Sequence, residues 1–236
     1  MTAQGTAIVT GAGKRVGAVI AEALVADGWN VVAHVHHEAD RVPNGAIKVV
    51  ADLADVSCAG AIFAAVGEAP RLLVNNAARF AADGFGAFSA SEFDAHMAVN
   101  VRAPALLIEA FAKVAPRGSL VVNLLDAKLA APNPDFLSYT LSKQALAGLT
   151  ELAARALAAR GIRVNGIAPA VMLPSGEQTN FDAVHALNPL GRGVEPEDVV
   201  RALRYLIAAP AVTGEVMTID GGQRFMQLAR DVQFKS

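Results

Sequence analysis

Tyr139 and Lys143 stand four residues apart in Tyr139-Thr-Leu-Ser-Lys143, at the start of an Ala/Leu-rich helical pattern. Residues i and i+4 share one helix face, so a phenol and an ammonium would lie side by side. A nearby cation favours the phenolate, which is expected to lower a tyrosine pKa that is ordinarily about 10. Such a tyrosine is a candidate general acid or base near neutrality. Thirteen residues before Tyr139, Asp126 follows the apolar run Ser119-Leu-Val-Val-Asn-Leu-Leu125, which reads as a buried strand. Pro132-Asn-Pro134 makes a loop between the two, so a carboxylate at a strand end can face a phenol at a helix start. An ionised carboxylate only accepts hydrogen bonds. Asp126 therefore suits a substrate with N–H donors, or a nitrogen to be protonated, better than it suits a ketone.

The elements that must position these groups alternate along the chain. Apolar runs at Thr6–Thr10, Val31–Val35, Ile47–Val50, Leu72–Asn75, Ser119–Leu125, Arg163–Ile167 and Val216–Ile219 read as seven strands. Helical spacing follows the intervening turns, as at Ala18–Asp27 and Ala59–Val66. This alternation predicts an α/β fold: a Rossmann-like, doubly wound parallel seven-stranded sheet with helices on both faces, in one domain over residues 1–236. Leu173–Leu190 is polar and broken by Pro and Gly, and is the expected lid over a substrate. The helix predicted over Thr140–Ala159 is apolar on more than one stripe, so one side can face the sheet and another a second subunit.

Thr10-Gly11-Ala-Gly13-Lys14-Arg15-Val16-Gly17 joins the first strand to the first helix. Backbone N–H groups and the helix dipole attract phosphate at such a turn. Nucleotide choice is set at the end of the second strand, where a carboxylate serves ribose hydroxyls and cationic groups serve a 2′-phosphate. The sequence there is Val31-Val-Ala-His34-Val35-His36-His37-Glu38, with Val35 where an acid would be expected. His36, His37 and Arg15 together form a candidate phosphate clamp, so the expected cofactor is NADPH (NADP). Glu38 is the residue that could instead reach a ribose.

The set of motifs resembles the short-chain dehydrogenase/reductase family over nearly the whole chain. The family's active site is a Tyr-x3-Lys pair preceded thirteen positions earlier by a polar residue, usually serine, and Asp126 holds that position. The glycine turn resembles T-G-x3-G-x-G, with Arg15 where the middle glycine usually stands. Asn75-Asn76-Ala77-Ala78 resembles N-N-A-G, and Asn100 matches the helix asparagine of the family's proton relay. Pro169-Ala-Val-Met172 stands in for the family's P-G turn, and Pro189-Leu-Gly-Arg192 with Pro196-Glu-Asp198, and Asp220-Gly-Gly222, resemble its later segments. The resemblance implies catalytic roles for Asn100, Asp126, Tyr139 and Lys143. It implies cofactor contacts at Gly11, Lys14, Arg15, Val16, His36, His37, Asp52, Leu53, Asn76, Ala77, Tyr139, Lys143, Pro169 and Met172. It also implies assembly as a homotetramer, with a dimer possible.

Arg15, Asp126 and Phe80 together are similar to the pteridine reductase and dihydromonapterin reductase branch. In that branch an aromatic residue near Phe80 sandwiches a pterin against the nicotinamide, and Arg15 would bridge cofactor phosphate and pterin oxygen. The branch usually has Ser two residues before the aromatic, where this chain has Ala78. The expected substrate contacts are Arg15, Phe80, Asp126 and Tyr139. The alternatives are a general NADPH-dependent carbonyl reductase and a non-catalytic nucleotide sensor, the latter disfavoured by the intact Asn100, Tyr139 and Lys143.

Composition is consistent with these expectations. The 236 residues are 53% hydrophobic and 18% charged, enough to bury a large core. A net charge of −2 gives no reason to expect nucleic acid or an anionic membrane as partner. The single cysteine, Cys58, cannot form an internal disulfide, and MTAQGTAIVTGAG does not read as a signal peptide. No apolar segment approaches the roughly 20 residues needed to span a bilayer. A cytoplasmic protein with no metal site is expected.

Overall fold

The computed structural model describes residues 4–174 and 178–234. Its strands are β1 (Thr6–Val9), β2 (Asn30–Val35), β3 (Ile47–Val50), β4 (Pro70–Asn75), β5 (Leu120–Leu124), β6 (Arg163–Pro169) and β7 (Val216–Ile219). All are parallel neighbours in one sheet, ordered β3-β2-β1-β4-β5-β6-β7. The central strands are near-continuous Val/Ile/Leu/Ala runs because both faces are covered by helices. The predicted strands are all present, with ends shifted by at most two residues.

Alternate residues of each strand feed two cores. On one face Ala7, Val9, Ala33, Val74 and Val122 pack with Ile20 and Leu24 of α1 (Arg15–Ala26) and with Val199, Leu203 and Leu206 of α7 (Pro196–Ala208). On the other, Ile8, Val32, Leu73, Val121 and Val164 meet three helices. These are α2 (Cys58–Ala64), α4 (Ala103–Val114) and α5 (Leu137–Leu157), which contribute Ile62, Leu107, Phe111 and Ala153. The strand order reverses between β1 and β4, where doubly wound sheets open a crevice for ligands.

Three details bear on the site. Helix α5 starts three residues before the predicted Thr140, so Tyr139 lies in its first turn. Between α3 (Ala90–Met97) and α4 the backbone forms one π-helical turn, Ala98–Arg102, which carries Asn100. Wide turns of this kind are frequent at functional sites. Residues 175–177 of the expected lid, Leu173–Leu190, lie outside the described residues, and the rest includes the short helix α6 (Phe181–His185). Among the described residues, no helix is long and apolar enough to cross a membrane, and no group of three or more His, Cys, Asp or Glu is placed to hold a metal ion.

Candidate active site

A cavity of about 690 Å³ opens at the C-terminal ends of β1, β4, β5 and β6. Its wall includes every residue expected at the site except Asn100, which lies behind it. The glycine turn forms one end. A side-chain Cβ on Gly17 would stand 2.1 Å from the Gly11 carbonyl oxygen and 2.4 Å from Asn76 Nδ2, so helix and turn can approach only with glycine there. Arg15, where the family's middle glycine is expected, has φ 54. That is the left-handed region that glycine adopts without steric cost.

The turn is tied to both neighbouring strands. Asn76, just past β4, donates from Nδ2 to the Thr10 carbonyl at 2.9 Å, and the Asn76 and Ala77 amides both donate to Thr10 Oγ at 3.0 Å. From the other side, the Gly11 amide donates to Nδ1 of buried His34 at 3.2 Å, and His34 Nε2 donates to the Ala51 carbonyl at 3.0 Å. Burial pushes the His34 pKa down, which keeps Nδ1 free to accept. The sequence hinted at His34 only as a polar residue within an apolar strand.

Lys14, His36, His37, Asp52 and Leu53 line this end of the cavity. The imidazoles of His36 and His37 lie 4.2 Å apart, and His36 Nε2 is 3.9 Å from Asp52 Oδ1. Glu38 pairs with Lys48 at 2.8 Å and is absent from the cavity wall, which removes it as a ribose ligand in this arrangement. The Arg15 guanidinium donates to the Pro174 and Leu173 carbonyls at 2.7 and 3.4 Å. It thereby joins the glycine turn to the segment after β6 rather than standing with the two histidines.

At the other end, Tyr139 Oη donates to Asp126 Oδ2 at 2.9 Å, and Asp126 Oδ1 accepts from the Lys128 amide at 2.8 Å. Lys143 Nζ donates to the Leu124 carbonyl at 2.7 Å and lies 5.7 Å from the Tyr139 ring centroid. The expected lowering of the tyrosine pKa is not what this arrangement produces. Burial, with the adjacent Asp126 carboxylate, raises the phenol well above its ordinary value. Desolvation brings the buried Lys143 ammonium down to about 8 and raises the Asp126 carboxyl. Spacing alone placed the cation beside the phenol; burial, which spacing does not report, decides the sign.

Asn100 Oδ1 accepts from the Arg79 amide at 2.7 Å, and its Nδ2 donates to the Arg79 carbonyl and Ser142 Oγ at 3.0 and 2.9 Å. It fixes the strand-end loop that carries Phe80 to the helix that carries Lys143. Asp83, farther along that loop, accepts from the Ser138 amide at 2.9 Å and from the Ser138 hydroxyl. The Asp83 backbone carbonyl takes the Leu137 amide at 3.3 Å, so Asp83 satisfies α5's first donors in place of its own N-cap residue, Phe136, which has φ 53 and no side-chain cap bond. Phe80 is 41% exposed, stacks on Phe136 at 4.5 Å and meets Tyr139 edge-on at 4.7 Å. Phe136 gave no sign in the sequence of belonging to the site. Pro169 and Met172 close the wall after β6.

Comparison with known proteins agrees with this architecture. A family described as Enoyl-(Acyl carrier protein) reductase matches residues 11–224. Pteridine reductase 1 of Leishmania tarentolae is 32% identical over 92% of this chain and 95% of its own length. L-xylulose reductase of Mesocricetus auratus is 33% identical over 92% and 95%. The crystal structure of FolM Alternative dihydrofolate reductase 1 from Brucella suis, solved in complex with NADP, superposes with a TM-score of 0.86 at 35% identity, covering 95% of this chain and 97% of that one. With this fold, glycine turn and Tyr139–Lys143 pair, the chain belongs to the short-chain dehydrogenase/reductase family.

Proposed function

We propose that this chain is an NADPH-dependent reductase that adds hydrogen across the C=N bond of a dihydropterin, with Tyr139 as proton donor. The observation that carries the reading is the Tyr139–Asp126 hydrogen bond of 2.9 Å beside the half-open ring of Phe80. A proton donor, an acceptor-only carboxylate and an aromatic platform converge there, which suits a flat N-heterocycle. The likeness to a pteridine reductase and to an alternative dihydrofolate reductase bound to NADP supports the same substrate class and cofactor.

When bound, NADPH would supply the hydride. The turn at Gly11, Gly13 and Gly17 and the N-terminus of α1 would hold its pyrophosphate, with the missing Cβ of Gly17 letting the helix N-terminus pack against the turn. Lys14, His36 and His37 would face the 2′-phosphate, with Asp52 and Leu53 at the adenine and Pro169 and Met172 near the nicotinamide. Tyr139 starts protonated, as its raised pKa requires of an acid, and gives its proton to the ring nitrogen. Lys143, held by the Leu124 carbonyl, stabilises the phenolate so formed. Asp126, which accepts from the Tyr139 hydroxyl at 2.9 Å, orients the phenol. Asn100 holds the loop that carries the Phe80 platform. The exposed Leu141 and Leu152 of α5 support assembly through that helix as a homotetramer.

A second reading, a general carbonyl reductase, is favoured by the likeness to L-xylulose reductases. It requires Asp126 to be protonated and to donate to a ketone oxygen, and burial moves its pKa in that direction. Anaerobic NADPH oxidation with a 7,8-dihydropterin and with a panel of ketones and aldehydes separates the two. Turnover confined to the pterin supports the proposal; turnover confined to carbonyl compounds overturns it.

A further inference from the structure

The loop between β4 and α3 carries Phe80, and its attachment to the rest of the protein is uneven. Before the ring, the Arg79 amide donates to Asn100 Oδ1 at 2.7 Å, and the Arg79 guanidinium pairs with Glu92 at 2.7 Å. Just past the ring, the Ala81 amide donates to Nε2 of buried His96 at 3.3 Å, and His96 Nδ1 donates to the Glu92 carbonyl at 2.7 Å. These partners all belong to α3 or to the π turn that follows it. Beyond Asp83 the loop runs through Gly84-Phe85-Gly86, where Phe85 is 89% exposed and Gly86 has φ 94. Among the described residues, its only hydrogen bond between Asp83 and the α3 N-cap Ser89 is a local one, from the Ala87 amide to the Gly84 carbonyl at 3.0 Å.

Asp83 is therefore the last fixed point of the loop, and the one that bonds it directly to α5. Its carbonyl accepts from the Leu137 amide, and its carboxylate accepts from the amide and the hydroxyl of fully buried Ser138. A helix N-cap is ordinarily Ser, Thr, Asp or Asn, whose side chain satisfies the first amides. With Asp83 satisfying them from outside the helix, the N-cap position is free to hold Phe136, whose ring stacks on Phe80 at 4.5 Å. The capped residue, Ser138, directly precedes Tyr139, and Phe80 meets the Tyr139 ring edge-on at 4.7 Å. The cap and the stack thus join the same loop to the same helix turn, on either side of the ring and the proton donor.

We propose that Asp83 is a positioning residue for substrate binding: by capping α5 it holds the Phe80 ring where a flat heterocycle stacked on it reaches the Tyr139 hydroxyl. This rests on the pterin reading above and adds what sets the place of the platform. Asp83 acts through Phe80, since it does not itself line the cavity.

The test is a double-mutant cycle on the equilibrium binding of pterin to the NADP⁺-saturated protein. Asp83→Ala should weaken pterin binding about ten-fold, with NADP⁺ affinity kept within about three-fold. In a Phe80→Ala background, where there is no ring to position, the same change should cost less than about two-fold. A residue that only stabilised the fold would cost the same in both backgrounds. Ser138→Ala, which removes one of the two donors to the carboxylate, takes its place in the cycle should Asp83→Ala not fold. Equal losses in the two backgrounds, or an unchanged pterin affinity in the single variant, would overturn the inference while leaving the pterin reading intact. Failure of the wild type to bind pterin at all would remove both.

Discussion

Replacing Lys143 by Met should abolish turnover and also change how stability depends on pH, by an amount that follows from the burial of the ammonium. Lys143 is 3% exposed, and desolvation lowers its pKa from 10.5 to about 8. A lysine lowered in the folded state binds its proton more weakly there than in the unfolded chain. Below pH 8 both states are protonated and the folded state carries the full burial cost, about 3 kcal/mol. Between pH 8 and 10.5 the unfolded chain binds more protons, so stability from this group rises with pH. From pH 7.5 to 9.5 the gain is about 2 kcal/mol. Met lacks this term, and other titrating groups are common to both proteins. At pH 7.5 the burial cost is relieved, but the Leu124 carbonyl loses its donor at a cost of about 1–3 kcal/mol, so the variant should be equal to the wild type or modestly more stable. Raising the pH to 9.5 should then cost it about 2 kcal/mol relative to wild type. Urea unfolding of the two proteins at pH 7.5, 8.5 and 9.5 measures the difference directly. A difference that stays flat across this range would refute the reasoning, because Lys143 would not then be a desolvated, partly neutralised base.

Tyr139→Phe removes the proposed proton donor and should lower kcat about 10²–10⁴-fold, while NADPH affinity by fluorescence titration changes little; a kcat within ten-fold of wild type would take the proton-donor role from Tyr139. Gly17→Ala forces a Cβ against the Gly11 carbonyl and Asn76, an overpacking cost of about 1–3 kcal/mol, and should weaken NADPH binding by about ten-fold or more. Binding unchanged in that variant would place the pyrophosphate elsewhere. The double variant His36→Ala, His37→Ala should reduce the preference for NADPH over NADH, read as the ratio of kcat/KM values. An unaltered ratio would assign the 2′-phosphate to other groups.

The parts of this site that could be read in the sequence are those set by local spacing. Asp126 follows an apolar run and the Tyr139–Lys143 pair opens a helical one, so their meeting needs only a strand end and a helix start. The glycine turn is legible for the same reason: it joins two adjacent elements. What could not be read depends on distant partners or on burial. Nothing near Lys128 announces its ion pair with Asp231, and nothing near Ser138 announces the Asp83 carboxylate that caps its helix. The fate of Arg15 depended on where the segment after β6 passes, and the sign of the tyrosine shift on the burial of Tyr139 beside Asp126. The π turn at Asn100 has no signature in Ala98-Val-Asn-Val-Arg102, whose residues serve equally well in an ordinary helix.

The bonds between Thr10 and Asn76 also have a kinetic consequence. They link residues 66 positions apart and exist only once β4 has docked against β1, a pairing that must close a long loop before its contacts stabilise anything. The proposed nucleotide cradle is therefore completed late, after β1 to β3 have had the chance to associate. A ligand that recognises only the finished cradle cannot accelerate the steps that build it and acts by holding the product closed. NADPH should accordingly slow unfolding in stopped-flow urea jumps while leaving the refolding rate unchanged. A matching acceleration of refolding would place the docking of β4 before the rate-limiting barrier.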